Sequence, residues 1–491
     1  MNSQVLLIGG GLLQLPVLEQ ARILGVDVVC IDGNLRAPAR DRVAQFLHCD
    51  IKDKDACLAA VKEFAPRGKI EGVLTVGTDF STTVSWIAEH LNLPGTPYAN
   101  VLNARNKGLM RQCFRDHGVS SPHFLVVQHE VDESFVPAWG FPAVVKPADN
   151  MGARGVRLVS HRQELPSAIR EALLFSATGT ALVEEYIPGP EFSVDAILHD
   201  GKVIRCGLAD RTIAFAPHFV ELGHTFPSTA ADEVQESIWL ELEKAVRALG
   251  LRNGAAKGDV KYDPRRGAVI GEVAHRLSGG FMSGWTYPLT SGRSSIRWAL
   301  ETCLGRPLSP QPQETFLPVA ERAWIGFPGL RKSTADEAAG RQSEGVQDVF
   351  LLAQAGQNTV VPRNNVEKLG NLIAIGDTRA HAESAARQGL NRSPWLYQKS
   401  HGETDLFLKG EGGHPWAFEK ARGRTIGSHV SSIRSQAQDQ QWGDWYGNTF
   451  EEVLEVLDDR QVALKSRSDR FWRALLVGGI SGALYAEDSQ W

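Results

Sequence analysis

Apolar positions in the first 95 residues fall into short continuous runs separated by stretches of helical spacing. Runs at 5–8, 26–32, 46–50 and 72–76 predict strands, and 15–24 predicts a helix between the first two. Continuous apolar strands alternating with helices predict a Rossmann-like parallel sheet buried on both faces. Such sheets bind ligands beyond the carboxyl ends of their strands, which are residues 9–11, Asp32 and residues 77–79.

From residue 106 the pattern changes. NKGLMRQCFRDHGVSSPHF predicts a helix stopped by Gly118 and then a strand entered through Pro122. GFPAVVKPADNMGARGVRLV reads as strand, glycine-containing loop and strand; ALVEEYIPGPEFSVDAIL reads as two strands around Pro188, Gly189 and Pro190. An amphipathic helix over 237–249 precedes a hairpin over 255–274. These shifts predict a Rossmann-like domain over 1–97 and a second domain over 98–317. A small α+β part covers 318–395, and a Trp-rich, helical extension covers 396–491. In that extension Trp416, Trp442, Trp445 and Trp472 are expected to form a satellite core. The apolar stretch 474–486 is broken by Gly478, Gly479 and Gly482 and falls short of the roughly 20 residues a spanning helix needs. It reads as a packed or interfacial tail helix.

The 491 residues are 43% hydrophobic and 22% charged, enough to build a core and too ordered in composition for a disordered chain. A net charge of -5 and a pI near 6.3 supply no basic field for nucleic acid or anionic lipid. Six scattered cysteines without a Cys-x-x-Cys spacing fit thiols in a reducing compartment, and the N-terminus lacks the features of a signal peptide. A cytoplasmic protein is expected.

Two nucleotide fingerprints fail. Gly9 and Gly11 begin a GxGxxG pattern, but Gln14 stands where its third glycine belongs, and no GxxxxGK[ST] occurs. Lys146 at the end of an apolar strand, followed by the loop at 149–155, offers a point charge and free backbone N–H groups to a polyphosphate. Asp259 and Glu272 lie nearly equidistant from the turn of the hairpin and so face each other across it. Carboxylates that close repel unless a cation lies between them, and hard oxygen ligands beside a phosphate site suit Mg²⁺. Arg276 follows on the same face.

In order along the chain, NKGLMR, GFPAVVKPADNMGARGV, EEYIPGPEF and GEVAHRLSGG resemble the successive motifs of the ATP-grasp ligases across roughly residues 1–390. The resemblance implies a pre-ATP-grasp domain followed by a two-lobed ATP-grasp fold over 98–317, with its nucleotide lid lobe at about 122–188. It gives Lys107 and Lys146 to the ATP phosphates and Asn150, Gly152 and Gly155 to the lid. Glu184, the carbonyl of Glu185 and the N–H of Ile187 go to adenine, and Glu191 to the ribose. Asp259 and Glu272 would bind Mg²⁺, or Mn²⁺ in its place, and Arg276 would steady the transferring phosphoryl. Ala274 departs from the family's asparagine at that position, which bears on whether one or two ions bind.

RTIAFAPHFVELGHTFPS holds His218, Glu221 and His224 at spacings of three. Strand alternation puts His218 and His224 on one side and Glu221 on the other, against a zinc triad. The segment resembles the substrate loop of the L-amino-acid (dipeptide) ligases, which implies that Glu221 and His224 contact amino-acid substrates. Within that group Arg276 and the N–H of Gly279 would grip an acyl phosphate, and Gly280 implies room for a bulky acyl group. The implied activity joins a carboxylic acid to an amine with release of ADP and phosphate. The partners are then small molecules, with no nucleic acid and no membrane; a homo-oligomer is left open. Two other readings remain: an ATP-grasp ligase of purine or pyrimidine synthesis, and a non-catalytic nucleotide-binding module.

Overall fold

Neighbouring residues of strand β1 (Gln4–Ile8) feed different cores. Val5 and Leu7 pack into one apolar cluster, Leu6 and Ile8 into another on the opposite face, and all four are fully buried. With β2 (Asp27–Asp32), β3 (Gln45–His48) and β4 (Ile70–Leu74) it forms a parallel sheet in the order β3-β2-β1-β4. Burial of both faces explains why these strands read as unbroken apolar runs. At the sheet's carboxyl end Asp32 Oδ2 accepts the Gly10 N–H at 2.7 Å, and the side-chain amide of Gln14 donates to the Val76 carbonyl. The glycine turn is therefore closed by the chain's own side chains.

The computed structural model describes residues 3–64, 69–132, 134–312, 317–333, 336–409, 447–460, 462, 464 and 468–487. It divides into two compact units, the first made of 1–211 and 226–317 and the second of 212–225 and 318–491.

In the first unit, β5 (Phe124–Val127), β6 (Ala143–Pro147), β7 (Arg157–Val159) and β8 (Ala181–Glu185) form an antiparallel sheet in the order β5-β8-β6-β7. Helix Leu165–Phe175 covers one face through Leu165, Ala168, Ile169 and Ala172. The strands β9 (Glu191–His199), β10 (Lys202–Ala214), β12 (Gly254–Asp263) and β13 (Gly267–Ala274) run antiparallel in the order β13-β12-β9-β10, strand β11 (Val220–Phe226) intervening in sequence. Helix Asp232–Ala248 seats Ile238, Leu242, Ala245 and Val246 against this sheet.

The second unit contains β11, β14 (Val319–Trp324), β15 (Val346–Leu351) and β16 (Gly370–Ile375) in the order β11-β14-β16-β15. Its main core joins Trp324, Trp395 and Tyr397 to Phe407, Leu408, Ala474 and Val477. Trp472 is buried with Phe450 and Phe471 in a satellite cluster, whereas Trp416, Trp442 and Trp445 lie outside the described residues. The tail helix Asp469–Glu487 is interrupted at Gly479, whose φ of 60° is left-handed. Among the described residues no helix is long and apolar enough to cross a membrane.

Candidate active site

Asn106 caps helix Lys107–Asp116 by accepting the Gly108 and Leu109 N–H groups, which sets Lys107 in the first turn. The Lys107 ammonium donates to the Asn150 carbonyl at 2.8 Å and pairs with Glu272 Oε1 at 3.1 Å. One turn on, Arg111 is fully buried; its Nε donates to Glu184 Oε1 at 2.8 Å and its Nη2 to the Gly271 carbonyl at 2.6 Å. Lys146 takes the other Glu184 oxygen at 2.7 Å. Val144 is the direct partner of Glu184 in the β6–β8 ladder, so Lys146, two residues on, shares its face and reaches it diagonally.

Burial alone would raise the Glu184 carboxyl, but Arg111 and Lys146 outweigh it and hold the group below the usual carboxylate range. Lys146 moves the other way: burial, aided by Arg111 and Lys107, depresses its ammonium against the pull of Glu184. The resemblance gave Glu184 to adenine. Here both its oxygens are engaged by the Arg111 and Lys146 cations.

The loop between β6 and β7 is built for left-handed turns at Gly152 (φ 69°), Ala153 (φ 59°) and Gly155 (φ 70°). A Cβ at Gly155 would stand 2.9 Å from the Phe175 ring, so that position demands glycine on two counts. Asn150 Nδ2 donates to the Phe175 carbonyl at 2.6 Å, tying the loop to the end of helix Leu165–Phe175. Farther along, Glu185 pairs with Arg266 at 2.8 Å, Ile187 is buried, and Glu191 accepts from Arg211 at 2.6 Å.

The β12–β13 ladder makes Asp259 and Glu272 cross-strand partners, with a bulge immediately after Asp259. Asp259 accepts from Arg211 at 2.7 Å and from Ser193 at 3.4 Å, and pairs with Lys257. Burial raises the Glu272 carboxyl, but Lys107, Lys257 and Lys146 together outweigh it and hold it far below the ordinary range. Two hard-oxygen groups facing each other at one cross-strand position suit a divalent ion. Ala274, next on that face, offers no side-chain oxygen.

Arg276 donates from Nε to Asp79 Oδ1 at 3.0 Å. Asp79 lies beyond the carboxyl end of β4, where Val76 bridges Leu277 and the Gly77 N–H donates to the Leu277 carbonyl at 3.3 Å. A Cβ on Gly279 would stand 3.4 Å from the Gly77 carbonyl. Beneath this loop the buried Asp195 accepts from the Ser278 N–H (3.0 Å) and from the hydroxyls of Ser278 and Ser283 (2.7 Å each).

Glu221 and His224 belong to the second unit, where their ligand atoms and that of Glu321 all lie within 4.8 Å of one another; His218 is outside the group. Strict alternation, which puts Glu221 and His224 on opposite sides, is therefore wrong here. Gly223 between them has φ +153°, and a Cβ there would fall 1.8 Å from the Glu321 carbonyl. The close approach of the backbone breaks the pleat.

Arg111, Lys257, Arg211 and Glu321 escaped sequence reasoning, whereas Asp79 closes the segment 77–79 expected on the ligand side of the sheet. Arg111 stands one helical turn after Lys107, and Lys257 two residues before Asp259 on one strand face; both spacings were readable. Glu321 carried no local signal.

His275 turns away from the carboxylates, with Nε2 3.0 Å from the Asn253 carbonyl, and burial lowers its pKa to about 4. The unfolded chain, near 6.5, then binds the proton more readily, so stability is full above about pH 6.5 and falls as pH drops toward 4. The loss is on the order of 3 kcal/mol. His275→Asn should flatten that part of the profile, read as urea midpoints between pH 7 and 4.5; an unchanged slope would remove the assignment.

A family model described as ATP-grasp domain matches residues 139–284, and one described as ATP-grasp N-terminal domain matches 18–95. D-alanine--D-alanine ligase of Gloeobacter violaceus is 30% identical over 222 residues, 42% of this chain and 66% of that protein. Carnosine synthase 1 of Gallus gallus is 28% identical over 310 residues, 58% of this chain, but this chain spans only 33% of that protein. The crystal structure of an L-amino acid ligase from Bacillus licheniformis superposes with a TM-score of 0.69 at 22% identity, covering 81% of this chain and 99% of that one.

Proposed function

Because the chain belongs to the ATP-grasp superfamily and is an ATP-dependent carboxylate–amine ligase, we propose that it joins an amino acid or related acid to an amine through an acyl phosphate. The observation that carries this reading is the network Arg111–Glu184–Lys146 and Lys107–Glu272, set beside the Asp259–Glu272 pair and the glycine-rich loop.

Lys107, Lys146, Lys257, Arg211 and Arg276 cluster around the hairpin carboxylates and supply the cations a triphosphate needs. A carboxylate oxygen of the acid attacks the γ-phosphorus and ADP departs. The amine nitrogen then attacks the acyl carbon, phosphate leaves, and the nitrogen gives up its proton. Phosphoryl transfer asks for positioning and charge neutralisation. Lys146, fixed by Glu184, and Arg276, fixed by Asp79, supply both. Asp259 and Glu272 would hold Mg²⁺, which when bound adds positive charge at the phosphates. Ala274 leaves a second ion one ligand short. Closure of the loop at 150–155 would keep water from the acyl phosphate.

Glu221 and His224 are assigned to the amino-acid substrate. Glu221→Ala is expected to raise KM for the amino acid by about tenfold or more while ATP affinity, read by calorimetry, stays within about twofold. Asp79→Asn should lower kcat by roughly 10–100-fold with KM for ATP nearly unchanged, because Asp79 orients Arg276 at 3.0 Å and pairs only loosely with Arg105 at 3.9 Å.

The deciding experiment is a phosphate-release screen over paired carboxylic and amino acids with Mg²⁺-ATP. ADP, phosphate and an amide appearing only when both partners are present support the reading, with bulky acids preferred over glycine and alanine. Turnover with a ribosyl phosphate amine or bicarbonate instead would move the chain to purine or pyrimidine synthesis.

A further inference from the structure

The second unit holds a constellation that phosphoryl transfer leaves unexplained. Glu321 on β14 is fully buried. Its Oε1 accepts from the Asn371 side-chain amide, whereas Oε2 accepts no hydrogen bond and yet lies 3.2 Å from His224 Nδ1. The Glu221 carboxylate completes the group, all three ligand atoms standing within 4.8 Å of one another. Around a tetrahedral ion with bonds of about 2.0–2.2 Å, neighbouring ligands stand roughly 3.3–3.6 Å apart. His224 and Glu321 are already at about that spacing.

The surroundings hold the ligands in place. Arg322 donates to the carbonyls of His224 (3.1 Å) and Glu321 (2.9 Å), and its charge is met by Glu383 at 3.3 Å. Asn371 fixes the orientation of the Glu321 carboxylate, as outer-shell partners of metal ligands do. The partly exposed Glu221 and the fully buried Glu321 carboxylates converge, and repel unless a cation joins them. An imidazole nitrogen among the donors favours a transition metal over Mg²⁺ or Ca²⁺.

We propose that Glu221, His224 and Glu321 form a site for one divalent transition-metal ion of the zinc type, with a coordination position open on the side of the partly exposed Glu221. The open position would receive an amine or carboxylate, so the substrate assignment of Glu221 and His224 is kept. The metal assignment itself stands on the three side chains and needs no ligase chemistry.

Chelator-stripped full-length protein, without nucleotide or Mg²⁺, is titrated with Zn²⁺ by calorimetry and with Co²⁺ by visible absorption. One ion per chain should bind, Co²⁺ giving the intense bands of a low-coordinate N,O site. Glu321→Gln should abolish binding. Glu221→Gln, at a position that is not buried, should weaken it by at least about tenfold, and Asn371→Ala by about 10–100-fold. Glu272→Ala, in the hairpin, should bind like the parent. No uptake by the parent would overturn the proposal, as would parent-like binding in both glutamine variants or loss of the ion with Glu272→Ala. None of these readings uses turnover, so an inactive ligase and an absent metal are told apart.

Discussion

Glu272→Ala should abolish phosphate release with every pair of substrates, a fall on the order of 10³-fold or more, corresponding to several kcal/mol of lost transition-state stabilisation. The side chain does two things at once. It faces Asp259 across the hairpin, and it neutralises Lys107 at 3.1 Å. Removing it leaves Asp259 alone as the acidic half of the pair and releases Lys107 toward the phosphates. Nucleotide should therefore still bind without magnesium, while the gain in affinity that magnesium brings disappears. Steady-state phosphate release, with calorimetric titration of ATP with and without Mg²⁺, checks both halves. Undiminished turnover would refute the hairpin assignment.

Glu184→Gln should instead strike stability. Arg111 and Lys146 both spend their charge on this carboxylate, and all three groups are buried. Breaking a buried pair by removing one partner costs about 3–5 kcal/mol, because the remaining charge stays desolvated. Two stranded cations put the expected loss at the upper end of that range. The urea midpoint should fall accordingly, and Arg111→Met added to Glu184→Gln should recover part of it. If the double variant is no more stable than the single one, Arg111 is not the group left unpaired. Because Lys146 also loses its anchor, ATP affinity should fall in the folded fraction.

What could be read before any coordinates follows from which signals are local. The unbroken apolar runs of the first sheet are a direct imprint of two-sided burial: Val5 and Leu7 serve one core, Leu6 and Ile8 another. Hairpin symmetry placed Asp259 opposite Glu272 because a ribbon's register is set by its own turn. The bulge after Asp259 lies between that pair and the turn, and the count from the turn was loose enough to absorb it. Where partners come from distant segments, the reading ran out. Arg111 meets Glu184 across 73 residues, and Arg276 meets Asp79 across 197. Strand alternation misjudged Glu221 and His224 because it assumes a regular pleat, which Gly223 does not keep. Glu321 stands far along the chain from Glu221 and His224, and the approach of β11 to its strand brings the three together.

The contact of Arg276 with Asp79, and the bridge of Leu277 to Val76 beside it, has a consequence for inheritance. The guanidinium belongs to the stretch matched by one family model, and its counter-ion to the segment matched by the other. A graft of the later segment onto a foreign leading domain would carry the arginine without the aspartate that aims it. Recombination among such enzymes is therefore expected to preserve the two stretches as a single heritable block, and chimaeras cut between them to recover activity only when an acidic residue is restored at the tip after the fourth strand.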